Sequence, residues 1–196
     1  MSMRTGKTLM ALALILVLVA LFVSGCATSG ETGVAAKEKT YAIGDPGPAR
    51  GVVFYDKGEV SDGWRYLEMA PDTTERLLPW GFQGSLASTR TAVGSGRTNT
   101  EALVIDSPDM GTAASYCAQL VVQDFSDWFL PSKDELDLLY TSLARNGTGT
   151  FLREGYGYWS SSEYDERRSW GQGFSNGVQG RVEKAELLAV RAIRAF

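Results

Sequence analysis

The stretch from Tyr158 to Phe196 constrains this chain most, because it joins stiff aromatic anchors to runs of chemically unrelated side chains. Trp159, Trp170, Phe174 and Phe196 are large, rigid, apolar groups suited to a small core, and Val178, Val182, Val190 and Ile193 favour pleated strands. Between them lie Asp165-Glu166-Arg167-Arg168, lone glycines and Ala185-Glu186-Leu187-Leu188-Ala189. In Trp170-Gly171-Gln172-Gly173-Phe174, period-two alternation puts the ring-bearing side chains on one face and the glycines on the other, a face that need not pack. The pattern predicts a fixed frame presenting a changeable surface. A solvated antiparallel sheet with one polar side is the plainer alternative.

The other end of the chain predicts where such a surface is displayed. Arg4 and Lys7 precede an almost wholly apolar run from Thr8 to Val23, followed by Ser24-Gly25-Cys26. The run is short for a membrane span, and small residues lead into the cysteine as in an export signal. It resembles the lipobox of bacterial lipoproteins, in which the peptide is cut before the cysteine and the thiol is acylated. Residues 1–25 are then a signal peptide and Cys26 a lipidated N-terminus. Each buried acyl CH₂ contributes roughly 0.8 kcal/mol, so several chains hold a domain at a membrane. Residues 26–40 are small, polar and free of aromatics, a flexible tether spanning on the order of 20 Å.

Loss of residues 1–25 leaves 171 of the 196 residues, enough for one domain over residues 41–196. Residues 26–196 keep 17 basic and all 23 acidic residues, a net charge of −6. Its arginines stand among acids, which points away from nucleic acid as a partner. With Cys26 acylated, Cys117 has no disulfide partner, and its apolar helical surroundings make it a small buried hydrophobe. The chain has no histidine, hence neither the usual general base nor the commonest metal ligand. Asp134 with Glu135 and Asp106 with Asp109 sit where helices are expected to begin, so they read as dipole partners rather than catalytic pairs. No enzyme activity, cofactor or metal is expected.

Along the chain, Gly51–Asp56 and Trp64–Ala70 read as a hairpin joined around residues 57–63. Residues 71–100 read as an ordered, irregular excursion whose Trp80 and Phe82 need burial. Two helices follow. One is capped at Ser107-Pro108 and carries Ala113, Tyr116, Cys117 and Leu120; the other starts at Pro131-Ser132 with Glu135 completing a capping box, and ends at Asn146-Gly147. Strands are expected at about 157–161, 169–174, 178–184 and 189–195. Strands at both ends with helices between make an α+β domain whose first and last strands pair.

Several motifs together carry a family resemblance. Asp127-Trp128-Phe129-Leu130-Pro131-Ser132 with Glu135-Leu136, Tyr158-Trp159-Ser160-Ser161-Ser162-Glu163, Phe174 to Gly177, Lys184 and Val190-Arg191-Ala192-Ile193-Arg194 resemble the DUF1566 family, related to the C-terminal domain of the Legionella collagen-like adhesin. Gly51 to Asp56 and Asp62 to Glu68 extend the likeness to the domain's start. With the lipobox, the chain is most similar to spirochaetal variable lipoproteins diversified by retroelements. That resemblance implies a C-type lectin-like fold of the formylglycine-generating-enzyme subtype, with two helices and antiparallel strands. It also implies a C-terminal region, about residues 158–196, in which templated mutation alters a ligand-binding surface.

By that resemblance Trp159, Ser160 to Ser162, Trp170, Phe174 and Val190 to Phe196 are frame, while Asp165, Arg167, Arg168, Gly171, Gly173, Arg181, Val182, Leu187 and Leu188 are exposed, variable, ligand-binding positions. The implied partner is a variable protein or glycan, met from the outer membrane and cell surface. Arginines suit carboxylate or sulfate, and leucines apolar contact. Two alternatives are an invariant envelope lipoprotein and a glycosaminoglycan-binding adhesin without diversification, the latter disfavoured by the negative charge. Arg191 and Arg194 resemble ligand hooks, yet ion pairs to Glu68, Asp127 or Glu163 would explain them equally.

Overall fold

The computed structural model of the protein describes residues 39–81, 83–84, 86–106, 111–152 and 157–196. The expected signal peptide, Cys26, the tether as far as residue 38, Phe82 and the Ser107-Pro108 cap lie outside the described residues. Lys39–Phe196 make one compact unit.

The chain opens with the expected hairpin. Strand β1 (Val52–Ser61) pairs antiparallel with β2 (Trp64–Met69). β1 runs five residues past its expected end, because Asp62 (φ 52°) and Gly63 (φ 80°) make the two-residue turn with positive φ at both positions that Asp-Gly favours. Short β3 (Arg76–Leu78) and helix α1 (Gly96–Asp106) then occupy ground expected to be irregular. Helix α2 (Ala113–Gln119) starts from Thr112, whose side chain accepts from the Ser115 N–H. Helix α3 (Lys133–Ser142) begins with the expected capping box between Ser132 and Glu135. It ends at Ser142, and Gly147 (φ 74°) closes a following turn of 3₁₀ helix. The described residues thus hold three α-helices rather than two, and Asp106 stands at the C-terminus of α1 instead of before a helix.

The C-terminal strands divide between two sheets. β4 (Gly157–Glu163), β5 (Arg168–Gly173), β6 (Gln179–Glu183) and β7 (Leu188–Val190) join β3 in a five-stranded sheet of order β3-β7-β4-β5-β6, while β8 (Ile193–Ala195) pairs with β2 to complete a three-stranded sheet. The strand expected at 189–195 is therefore two, with Arg191-Ala192 crossing between sheets. β4 and β7 run parallel, through Tyr158 and Ala189, so the sheet is mixed rather than purely antiparallel. The last strand pairs with the second, not the first, and Phe196 stacks on Tyr66 and meets Tyr41 edge-on.

Adjacent residues of β4 feed two cores. Tyr158 joins Phe54, Leu67, Leu136, Leu139, Phe174 and Ile193, while Trp159 joins Trp80, Cys117, Trp128, Leu130 and Val190. Burial on both faces gives β4 the near-continuous occlusion of a central strand. Glu68 and Asp127 take Arg194 at 2.7 Å each; Arg191 instead pairs with Glu75. Glu163 is held by buried Lys184.

Candidate functional site

Most candidate positions fall on β5, β6 and the turn before β5, at one side of the five-stranded sheet, while Leu187 and Leu188 lie in the β6–β7 turn and on β7. The frame behind them is hydrogen-bonded through serines. Ser160 donates to the Trp170 carbonyl (2.8 Å) and Ser162 to that of Arg90 (2.7 Å), while Ser161 accepts from Asn99 (3.1 Å). These hydroxyls hold β4 against β5, α1 and the segment before α1. Trp159 donates its indole N–H to the Leu78 carbonyl (2.9 Å). Tyr158 lies between Glu75, to which it donates, and the Leu152 N–H, from which it accepts; burial raises its hydroxyl pKa above the usual tyrosine range.

Pairing register sorts the candidate positions, because directly opposed residues share a face. Gly171 opposes Gly180 and Ser169 opposes Val182, while Trp170 opposes Arg181. Gly171, Gly173, Val182 and Leu188 line one cleft of about 360 Å³, with Gly157, Ser175, Asn176, Val178 and Gly180. None of these four positions is exposed as expected: Gly173 and Val182 are half-buried, Val182 against the Trp159 core, and Gly171 and Leu188 are buried. Leu188 is buried, since β7 is an internal strand between β3 and β4; Gly171 is buried because that leucine's methyl lies 2.8 Å from where its Cβ would stand. The glycine face of β5 is therefore packed at Gly171, and opens only towards Gly180, where a Cβ would meet nothing within 4 Å.

Asp165, Arg167 and Arg168 lie together in the β4–β5 turn, around a second cleft of about 520 Å³ with Leu86, Tyr164, Glu166 and Glu183. Their charges are largely spent on one another. Arg168 binds Asp165 through both Nε (3.0 Å) and Nη2 (2.5 Å), and Arg167 approaches Glu183 at 3.7 Å. The hydrogen bond from Arg168 holds the Asp165 carboxyl down to about 2. Leu187 projects from the β6–β7 turn, 56% exposed and lining neither cleft.

Arg181 stands apart on the opposite face of the sheet from the glycine cleft. Its guanidinium lies 4.0 Å from the centre of the Tyr164 ring and 5.5 Å from that of Trp170, whose indole also receives the Lys133 ammonium at 5.2 Å. Trp170 is thus half-buried and part of the presented surface rather than only frame. Tyr164, Lys133 and Leu86 escaped the sequence reading. The turn Ser175-Asn176-Gly177, which sets the β5–β6 register and so places Arg181 against Trp170, is the signal that could have found them.

Among the described residues, no three histidine, cysteine or acidic side chains gather as metal ligands would, and no helix is long and apolar enough to cross a membrane. Cys117 is fully buried in α2, where desolvation lifts its thiol pKa far above the usual range.

Comparison with known proteins adds little. No family model matches the chain, and no curated protein matches it. A fimbrial protein from Bacteroides ovatus has a solved structure to which this one is similar with a TM-score of 0.49 at 14% identity. The match covers 74% of this chain and 44% of the fimbrial protein, so the chain spans less than half of that protein's length.

Proposed function

We propose that the protein is a surface-displayed bacterial lipoprotein, anchored through Cys26, whose C-terminal region binds ligands that differ from one copy of the gene to another. In this reading residues 41–196 are a C-type lectin-like domain of the formylglycine-generating-enzyme subtype and a member of the DUF1566 kind, and the ligand is a protein or a glycan on a host or neighbouring cell. One observation carries it. Within a single sheet, β4 is locked by two cores and a serine hydrogen-bond network, whereas Arg167, Val178, Arg181 and Leu187, all further along the same chain, face solvent. A sheet so divided tolerates change at its outer strands without losing its fold, which is what a diversified binding surface requires.

The chemistry offered is mixed: clustered ion pairs around Tyr164, a glycine-floored cleft walled by Val182 and Val178, and a ring-stacked arginine. Comparing the 3′ end of the gene among sibling strains tests the reading. Substitutions should concentrate at 165, 167, 168, 173, 181, 182 and 187 and spare Trp159 to Ser162, Phe174 and Lys184; an even scatter, or none, defeats it. Acylation is tested separately by Cys26→Ser, which should release the protein from membranes.

A further inference from the structure

The ligand-display reading leaves open which chemistry the surface recognises, and β6 narrows it. β6 is the outermost strand of its sheet, and no second strand pairs with it among the described residues. The Lys184 N–H donates to the Arg167 carbonyl and the Gly173 N–H to the Val178 carbonyl, so residues 178, 180 and 182 direct their main-chain groups towards β5, as does the Lys184 N–H, while the Lys184 carbonyl accepts from the Trp80 N–H. By alternation, the N–H and C=O groups of Gln179 and Arg181 and the N–H of Glu183 point outward, away from the sheet, while the Glu183 carbonyl is taken by the Glu186 N–H (3.0 Å). The five pairs from Arg168–Glu183 to Gln172–Gln179 run without a bulge, which keeps this edge regular.

The middle residue of that edge also carries an uncommitted charge. Arg168 is committed to Asp165, Arg167 approaches Glu183, Arg191 and Arg194 are committed to buried acids, but Arg181 has no ion-pair or hydrogen-bond partner among the described residues. Stacking over Tyr164 and Trp170 restricts the guanidinium without using its N–H donors, which lowers the entropy lost when an anion binds. Edge strands often carry a charge simply to repel other strands. Here the charge is steered by two rings onto one face, so it selects the strand that docks rather than excluding every strand.

We propose that the β6 edge, with Arg181 at its centre, is a docking strand for an extended acidic segment of a protein partner. This rests on the ligand-display reading and deepens it. The partner's main chain would pair with Gln179, Arg181 and the N–H of Glu183, and a glutamate or aspartate opposite Arg181 would meet the guanidinium on the Trp170 face. Main-chain pairing supplies affinity whatever the side chains are, and the residue at 181 sets which charge is accepted.

The test uses the full chain and two labelled peptides, acetyl-Thr-Val-Glu-Val-Thr-amide and its counterpart with glutamine in the centre, followed by fluorescence anisotropy and amide hydrogen exchange. The glutamate peptide should bind about 10-fold or more tightly than the glutamine one and should protect amides within 179–183. Arg181→Ala should remove the preference, and Arg181→Glu should reverse it, so that the glutamine peptide binds the tighter. Gln179→Pro deletes one outward donor at the start of an edge strand, where proline is tolerated, and should weaken both peptides relative to Gln179→Ala. Equal affinity for the two peptides, or binding with no protection of 179–183, overturns the proposal. Ligand capture at the Tyr164 or glycine cleft with β6 left unprotected overturns it too, while leaving the display reading standing. Absence of variation among siblings removes the display reading whatever β6 binds.

Discussion

β4 and β6 lie in one sheet with β5 between them, and they are constrained to very different degrees. Five consecutive residues of β4, Tyr158 to Ser162, are fully buried, and each is fixed by a ring contact or a hydrogen bond reaching 10 to 83 positions away in sequence. No residue of β6 is fully buried; Val182 packs against the Trp159 core, and the other side chains meet mainly hairpin neighbours and the first turn of α3. The difference teaches that tolerance to change is set by how many elements converge on a strand, not by its strand propensity. A three-residue strand such as β7 is occluded because it is sandwiched, whereas the longer β6 is open because it is last.

The comparison would break most visibly at Trp159. Trp159→Ala should destabilise the domain by about 3–5 kcal/mol in urea unfolding, since the cavity would open between the sheet and α2. Losing one partner of the buried Glu163–Lys184 pair comes next. Lys184→Met alone should cost about 3 kcal/mol, and adding Glu163→Leu should recover most of it, because the penalty lies in the stranded carboxylate rather than in the lost attraction. By contrast Arg167→Ala and Leu187→Ala should change stability by no more than about 0.5 kcal/mol.

Two glycines sharpen the contrast within a single cross-strand pair. Gly171→Ala should destabilise by about 1–3 kcal/mol, as its methyl would press on Leu188 at 2.8 Å, while Gly180→Ala across the ladder meets open space and should be neutral or stabilise by about 0.5 kcal/mol. The smallest effect concerns pH. Asp165 has a folded pKa of about 2, below the ordinary 3.8, so what it adds to the turn is complete above the ordinary value and is lost as pH falls through about 2. Asp165→Asn should therefore abolish the local amide-shift titration centred near pH 2 without altering the titrations at higher pH.

How far the sequence reached follows the same division. α3 was legible because its capping box and apolar spacing are local signals. α1 was not: its buried face is Gly96, Asn99, Thr100 and Leu103, so no apolar stripe marks it, and what holds it is tertiary, Asn99 bonding the Arg90 carbonyl and Ser161, and Thr100 accepting from the Leu130 N–H. Ser175-Asn176-Gly177 marks the β5–β6 turn, whereas the first hairpin is expected to join around residues 57–63 and in fact turns at Asp62-Gly63; the insertion of β7 between β3 and β4 is a non-local event that no local pattern records. Leu188 therefore read as exposed. Arg181 read as presented, yet its stacking on Trp170 and Tyr164 depends on register and on a ring placed by another turn.

The most direct measurement is a saturation scan of residues 157–190 in the full chain, scored by protease resistance of the folded domain. A locked frame carrying a free surface requires near-complete intolerance at Trp159 to Ser162, Phe174 and Lys184, with most substitutions accepted at Arg167, Val178, Arg181 and Leu187. A flat profile, in which β6 and the turns are as intolerant as β4, would contradict it.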